Sequence, residues 1–228
     1  MAKKEFPKQQ LPKDFPEPPI KSGGLAAKFS GFFHKLFNIV KFILGICALP
    51  FVYAATAGFL NEFGLIEHSL RADFWAGVIA MLIIYLFIWE PVIIYTKGQN
   101  LLEFIFMFLK PLVRVAPYLL PVYTLILFLF YSMLSWFVKG ITGYFMFLAG
   151  LTVTLHLIFS ARTMRGKKED FLKGNYLFGF SLIYVINVAL LSAYFSSIFE
   201  KFSFINFSNH SFQVVKGIFS AVFTQLFL

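Results

Sequence analysis

Glu90, His156 and Asn187 are polar side chains set inside long apolar runs of a 228-residue chain. If such runs cross a bilayer, an ionisable group within them costs about 2.5–3.5 kcal/mol and turns toward protein or water. Glu90 stands about five residues before its run ends, or roughly 8 Å of helix rise. His156 stands at a similar distance from the end of its own run. With both ends on the same side of the membrane, the two side chains share a depth and can meet if their helices are neighbours. Asn187 falls near the middle of a third run. Pro91 has no N–H, so it frees the carbonyl of Phe87 as a further acceptor. Together these groups would make a polar pocket for a proton, a cation or a polar headgroup. The same residues also support a purely structural reading. In it Glu90 snorkels to the interface, His156 bonds a neighbouring carbonyl and Asn187 ties two helices together.

The densest charged run is Ser160–Asp170, with Arg162, Arg165, Lys167 and Lys168. A basic connector of this kind contacts lipid phosphates or a partner, or simply fixes orientation. Metalloprotease, phosphate-loop and nucleophile-elbow motifs are all missing from the chain. One Glu and one His are too few ligands for a catalytic zinc site, so neither metal nor cofactor is expected. Cys47 is the single cysteine and can form no intrachain disulfide.

The elements that position these residues follow from composition. Hydrophobic residues make up 59% of the chain and charged residues 14%, with a mean hydropathy of +0.76. Soluble domains carry about 25% charged residues, so a water-facing surface is excluded and a lipid-facing one is required. The fold class read from this is all-α: a polytopic membrane protein of about five transmembrane helices plus amphipathic interfacial helices. Residues 1–24, rich in Pro and Lys, read as a disordered tail that cannot bury a core. Residues 25–228 read as the helical transmembrane domain. Lys28 and Lys35 against Phe29, Phe32, Phe33 and Leu36 mark an interfacial flank to the first span. Runs long enough to cross hydrocarbon fall at 39–60, 74–95, 117–138, 141–160 and 176–199. Residues 100–115 form an amphipathic stripe read as in-plane, with a re-entrant segment as the alternative. Residues 211–228 read as interfacial, with a sixth span left open.

Net charge is +9, but the basic residues sit in the tail and connectors rather than in any nucleic-acid motif. Placing the N-terminus in the cytoplasm puts 16 of the 20 Lys and Arg on the inner side, in the tail and in connectors 96–116 and 161–175. Arg71, Lys139, Lys201 and Lys216 remain outside, and so, after five spans, does the C-terminus. The expected setting is an integral membrane, the cytoplasmic membrane if the source is bacterial. Expected partners are the bilayer and other membrane proteins, with no nucleic acid. The expected function is a non-enzymatic subunit or scaffold of a larger assembly. The alternatives are a small transporter or channel built around Glu90, or a lipid-modifying intramembrane enzyme.

Overall fold

The computed structural model describes residues 25–108, 116–165 and 176–227; for most of 25–41 and for Arg165 it describes the backbone alone. The expected tail, residues 109–115 of the amphipathic stripe, Lys167 and Lys168 lie outside the described residues. The chain divides into Met1–Asn38 and Ile39–Leu228. The first is described only as the opening turns of α1, and the second contains all the other helices.

Every described element is helical, as apolar runs in lipid require, because a helix satisfies its own backbone. The helices are α1 (Leu25–Phe63), α2 (His68–Ile83), α3 (Val92–Ile105), α4 (Ala116–Leu119), α5 (Val122–Leu134), α6 (Thr142–Arg165), α7 (Tyr176–Ile198) and α8 (Phe204–Phe227). Four stretches are long and apolar enough to cross a membrane: Phe42–Phe63, His68–Ile88, Thr142–Met164 and Tyr176–Ile198. α5 is a shorter apolar helix. The protein is thus an all-α polytopic membrane protein.

Two prolines interrupt runs that the sequence reads as continuous. α2 passes into a π-helical turn, Ile84–Ile88, and stops there; Trp89 is extended and Pro91 opens α3. The residue before a proline is pushed out of helical geometry, and the proline offers no N–H to continue the ladder. The run 74–95 is therefore broken at residues 89–91, and Glu90 lies in the break. Likewise the run 117–138 is divided at Leu120-Pro121. The 13 residues of α5 rise only about 20 Å.

Contacts fix the helix directions. α2 and α6 run parallel, with Asp73 beside Gly143, Gly77 against Phe147 and Tyr85 against Phe159. α5 runs against α6, since Thr124 bonds Thr152 and Tyr131 bonds Thr142. α7 runs with α1, from Cys47 beside Ser181 to Phe59 against Phe195. α8 runs back along α1: Gly58 meets Phe207 and Ser211, Ser211 Oγ donates to the Ala54 carbonyl at 3.1 Å, and Phe51 meets Phe219. Thus α1, α5 and α7 point one way and α2, α6 and α8 the other.

α6 is the hub: more than half of its membrane-crossing stretch is buried, whereas most of that of α2 faces outward. The α2–α6 crossing is backbone on backbone. A methyl group on Gly77 would overlap the Phe147 carbonyl, and one on Gly150 the Phe74 carbonyl. Small residues permit this approach where helix association rests on packing rather than on water exclusion. Phenylalanine supplies much of the interior. The fully enclosed Phe195 ring touches Phe59, Phe63, Phe74, Phe128 and Phe202 at centroid distances of 5.9–6.2 Å.

Candidate functional site

The helix interruptions decide where the polar side chains go. Glu90, released from the ladder, is half-exposed and pairs with Arg162 of α6 through a hydrogen bond between charged partners. Such bonds are shorter and stronger than neutral ones. Arg162 reaches Glu90 because α6 runs parallel to α2 and ends at the same level. The structure does not join Glu90 to His156.

His156, buried on α6, instead faces Ser160 Oγ at 3.3 Å from its Nε2. Ser160 is itself fully enclosed and meets the Tyr95 hydroxyl at 3.1 Å, which accepts from Gln99 Nε2 at 2.9 Å. Ser160 Oγ also reaches the Tyr118 carbonyl at 3.3 Å, and that carbonyl faces the His156 imidazole. Tyr118 is the penultimate residue of α4, whose last carbonyls lose helical partners at Pro121. Asn187 serves the next of them: its Nδ2 donates to the Leu119 carbonyl at 3.0 Å and to Ile183 at 2.8 Å. His156 and Asn187 are thus gathered around the end of α4, and neither bonds Glu90. Asn187 Oδ1 is buried with no hydrogen-bond partner among the described residues.

An open cleft of about 470 Å³ lies where the two interrupted helices flank α6, lined by Tyr95, Thr96, Gln99, Tyr118, Arg162 and Thr163 among others. Thr96 and Thr163 donate to the carbonyls four residues back, leaving oxygen lone pairs as acceptors. Behind the cleft, a void of about 10 Å³ between Tyr95, Gln99, Thr152 and His156 is about the size of one water. α3 bounds both spaces. Its Tyr95 ring stacks on Phe159 and its Gly98 abuts Val122 and Tyr123, so it packs beside the lower half of α6 rather than beyond its end.

Tyr95 and Ser160 give no sequence signal, and Gln99 shows only as the first member of a polar helical stripe with Glu103, because hydroxyls and amides at helical spacing mean little until a partner is known. Glu62 is a further polar residue outside the expected set. It is 3% exposed at the end of α1, and its carboxylate accepts from the Ser203 N–H at 3.0 Å, just before α8. Its one signal in the sequence is an acidic residue placed where an apolar run closes. Of the basic connector, Arg162 is committed to Glu90, and Arg165 is described only as backbone. Among the described residues, no three His, Cys, Asp or Glu side chains converge as a metal site would require. Comparisons of the chain with protein families, with curated proteins and with solved structures find no match.

Proposed function

We propose that the protein is a non-enzymatic subunit or scaffold of a larger membrane assembly. The observation that carries this reading is the separation of the three intramembrane polar residues. Glu90 is taken up by Arg162, His156 by Ser160, and Asn187 by two carbonyls. Groups spent on helix ends are not aimed at a common substrate. The wide apolar exposure of α1, α2 and the π-helical turn after it, including Phe42, Ile46, Tyr53, Ile79 and Phe87, supplies surface for lipid or neighbouring helices.

In this reading the N-terminus, connector 161–175 and the part of 96–116 that follows α3 are cytoplasmic, where their Lys and Arg belong, while α3 itself packs beside the lower half of α6. α8, antiparallel to α1, makes a sixth and amphipathic pass, so the C-terminus returns to the cytoplasmic side rather than staying outside as five spans would leave it. Purification from native membranes in a gentle detergent tests the assembly. A second membrane protein is expected in fixed ratio, and a chain that is active while purified alone overturns the reading.

A small transporter is the second reading, favoured by one feature: two interrupted helices border the polar cleft, as in carriers that bind substrate at broken helices. Reconstituted vesicles test it, since Gln99→Ala and Arg162→Gln must then abolish flux while expression is unchanged.

A further inference from the structure

We propose that the outward face of α8 is the contact surface for a different membrane protein, one that presents a carboxylate at mid-bilayer depth. This rests on the subunit reading above and adds where the partner sits and what it carries.

The face is defined by spacing. Asn206, Asn209, Gln213, Lys216, Ser220 and Thr224 follow at intervals of three or four, so they form one stripe along the helix. All six are exposed. The opposite side, with Phe207, Ser211, Val214 and Ile218 buried or half-buried, is the side turned to the bundle. Such a pattern is ordinary where the polar face meets water. Here the depth is wrong for water. Lys216 lies between Ser211, which bonds Ala54, and Phe219, which meets Phe51. That level is roughly 14–18 Å of helix rise from Phe63, where the α1 span ends. It is about the middle of a hydrocarbon layer roughly 30 Å thick.

A cation there is unfavourable in lipid, and its side chain is too short to reach either headgroup layer. Among the described residues no carboxylate lies within ion-pair distance of Lys216, the described ion pair being Glu90–Arg162. A polar stripe with a central positive charge therefore calls for a polar, negatively charged counterpart from outside the chain.

A second copy is a poor counterpart. Lys216 sits near the middle of the stripe, so a twofold axis through this face would set Lys216 against its own equivalent. Among the described residues, a copy's Glu62 is buried against Ser203 at the far end of α1 and its Glu90 is held by Arg162, while Glu103, exposed on α3, could meet Lys216 only in a head-to-tail contact and not in a twofold dimer. Phe212 and Phe223, exposed beside the stripe, would supply the apolar packing that makes such a contact specific.

The test uses the full chain in native membranes. A photo-crosslinking residue at Gln213 or Ser220, with Lys216 intact, should yield an adduct with a different membrane protein bearing Asp or Glu within a span. Lys216→Glu should lower co-purification of that protein at least tenfold, and Lys216→Arg should retain it. Lys at the partner's acidic position should restore recovery with Lys216→Glu. An adduct with a second copy, an adduct with lipid alone, or full recovery with Lys216→Glu overturns the proposal. So does labelling of a Gln213→Cys variant by a membrane-impermeant reagent in the absence of any partner adduct, which places the stripe in water. Should the partner still co-purify with Lys216→Glu, the subunit reading stands and this surface alone is lost. If wild type brings down no membrane protein, the subunit reading itself falls.

Discussion

Asn187 donates to the carbonyl of Leu119, 68 residues earlier, at the point where Pro121 interrupts the ladder between α4 and α5. An amide in the middle of an apolar helix here repairs the backbone of another helix. Asn187→Leu removes the donor and leaves a buried carbonyl unsatisfied, a loss of about 1–3 kcal/mol. A lowered melting temperature in detergent is expected. An unchanged one would mean that another donor serves Leu119.

The glycine crossing of α2 and α6 should be the packing feature most sensitive to side-chain volume. Gly77→Ala or Gly150→Ala forces a methyl group into a facing carbonyl. Overpacking of this kind costs about 1–3 kcal/mol, so both variants should melt earlier and express less. Gly217→Ala on α8 is the control. Nothing lies within 4 Å of the added carbon there, and a helix favours Ala over Gly. That variant should match wild type or exceed it.

Glu62 ties the end of α1 to the start of α8 by accepting the Ser203 N–H. Glu62→Gln keeps an acceptor in place, whereas Glu62→Leu leaves a buried N–H without one, at a cost of about 1–3 kcal/mol. Hydrogen exchange at Ser203 should accelerate in the Leu variant and stay near the wild-type rate in Gln. Equal protection in both would show that the carboxylate is not what holds this junction.

The Glu90–Arg162 pair should behave differently, because both partners are about half-exposed. Exposed ion pairs contribute little to stability and are screened by salt. Glu90→Gln is expected to leave the melting temperature unchanged, with no salt dependence lost. A large destabilisation would mean that the pair is shielded by lipid or by a partner.

Orientation is checked with single cysteines in a Cys47→Ser background. Cysteines at Lys97 and Lys168 should share one side of the membrane, and one at Glu67 should lie on the other. Labelling of Lys97→Cys and Lys168→Cys from opposite sides would remove the basis for the cytoplasmic assignment.

Membrane class and the extents of α6 and α7 are legible in sequence, because long apolar runs leave the backbone no alternative to a helix. The helix breaks are legible only as residues. Pro91 and Pro121 are visible, but a transmembrane helix accommodates a proline when neighbours rescue the freed groups, and those neighbours are Asn187 and Ser160 in distant sequence. The pairing of Glu90 with Arg162 depends on α2 and α6 running parallel, which spacing along the chain does not encode. α8 shows the same limit. Its amphipathy is plain at residues 211–228, yet amphipathy alone does not distinguish a helix lying on lipid from one packed against Gly58, about 150 positions away.

The parallel seam between α2 and α6 also sets an order of assembly. Gly77 is synthesised 70 residues before Phe147, the carbonyl it rests on. At 5–20 residues per second that interval is roughly 4–14 s. During it α2 stands in the bilayer with its glycine notch empty while α5 has yet to thread back. The notch is therefore without its partner until α6 arrives, and the tightest seam of the bundle closes late in synthesis.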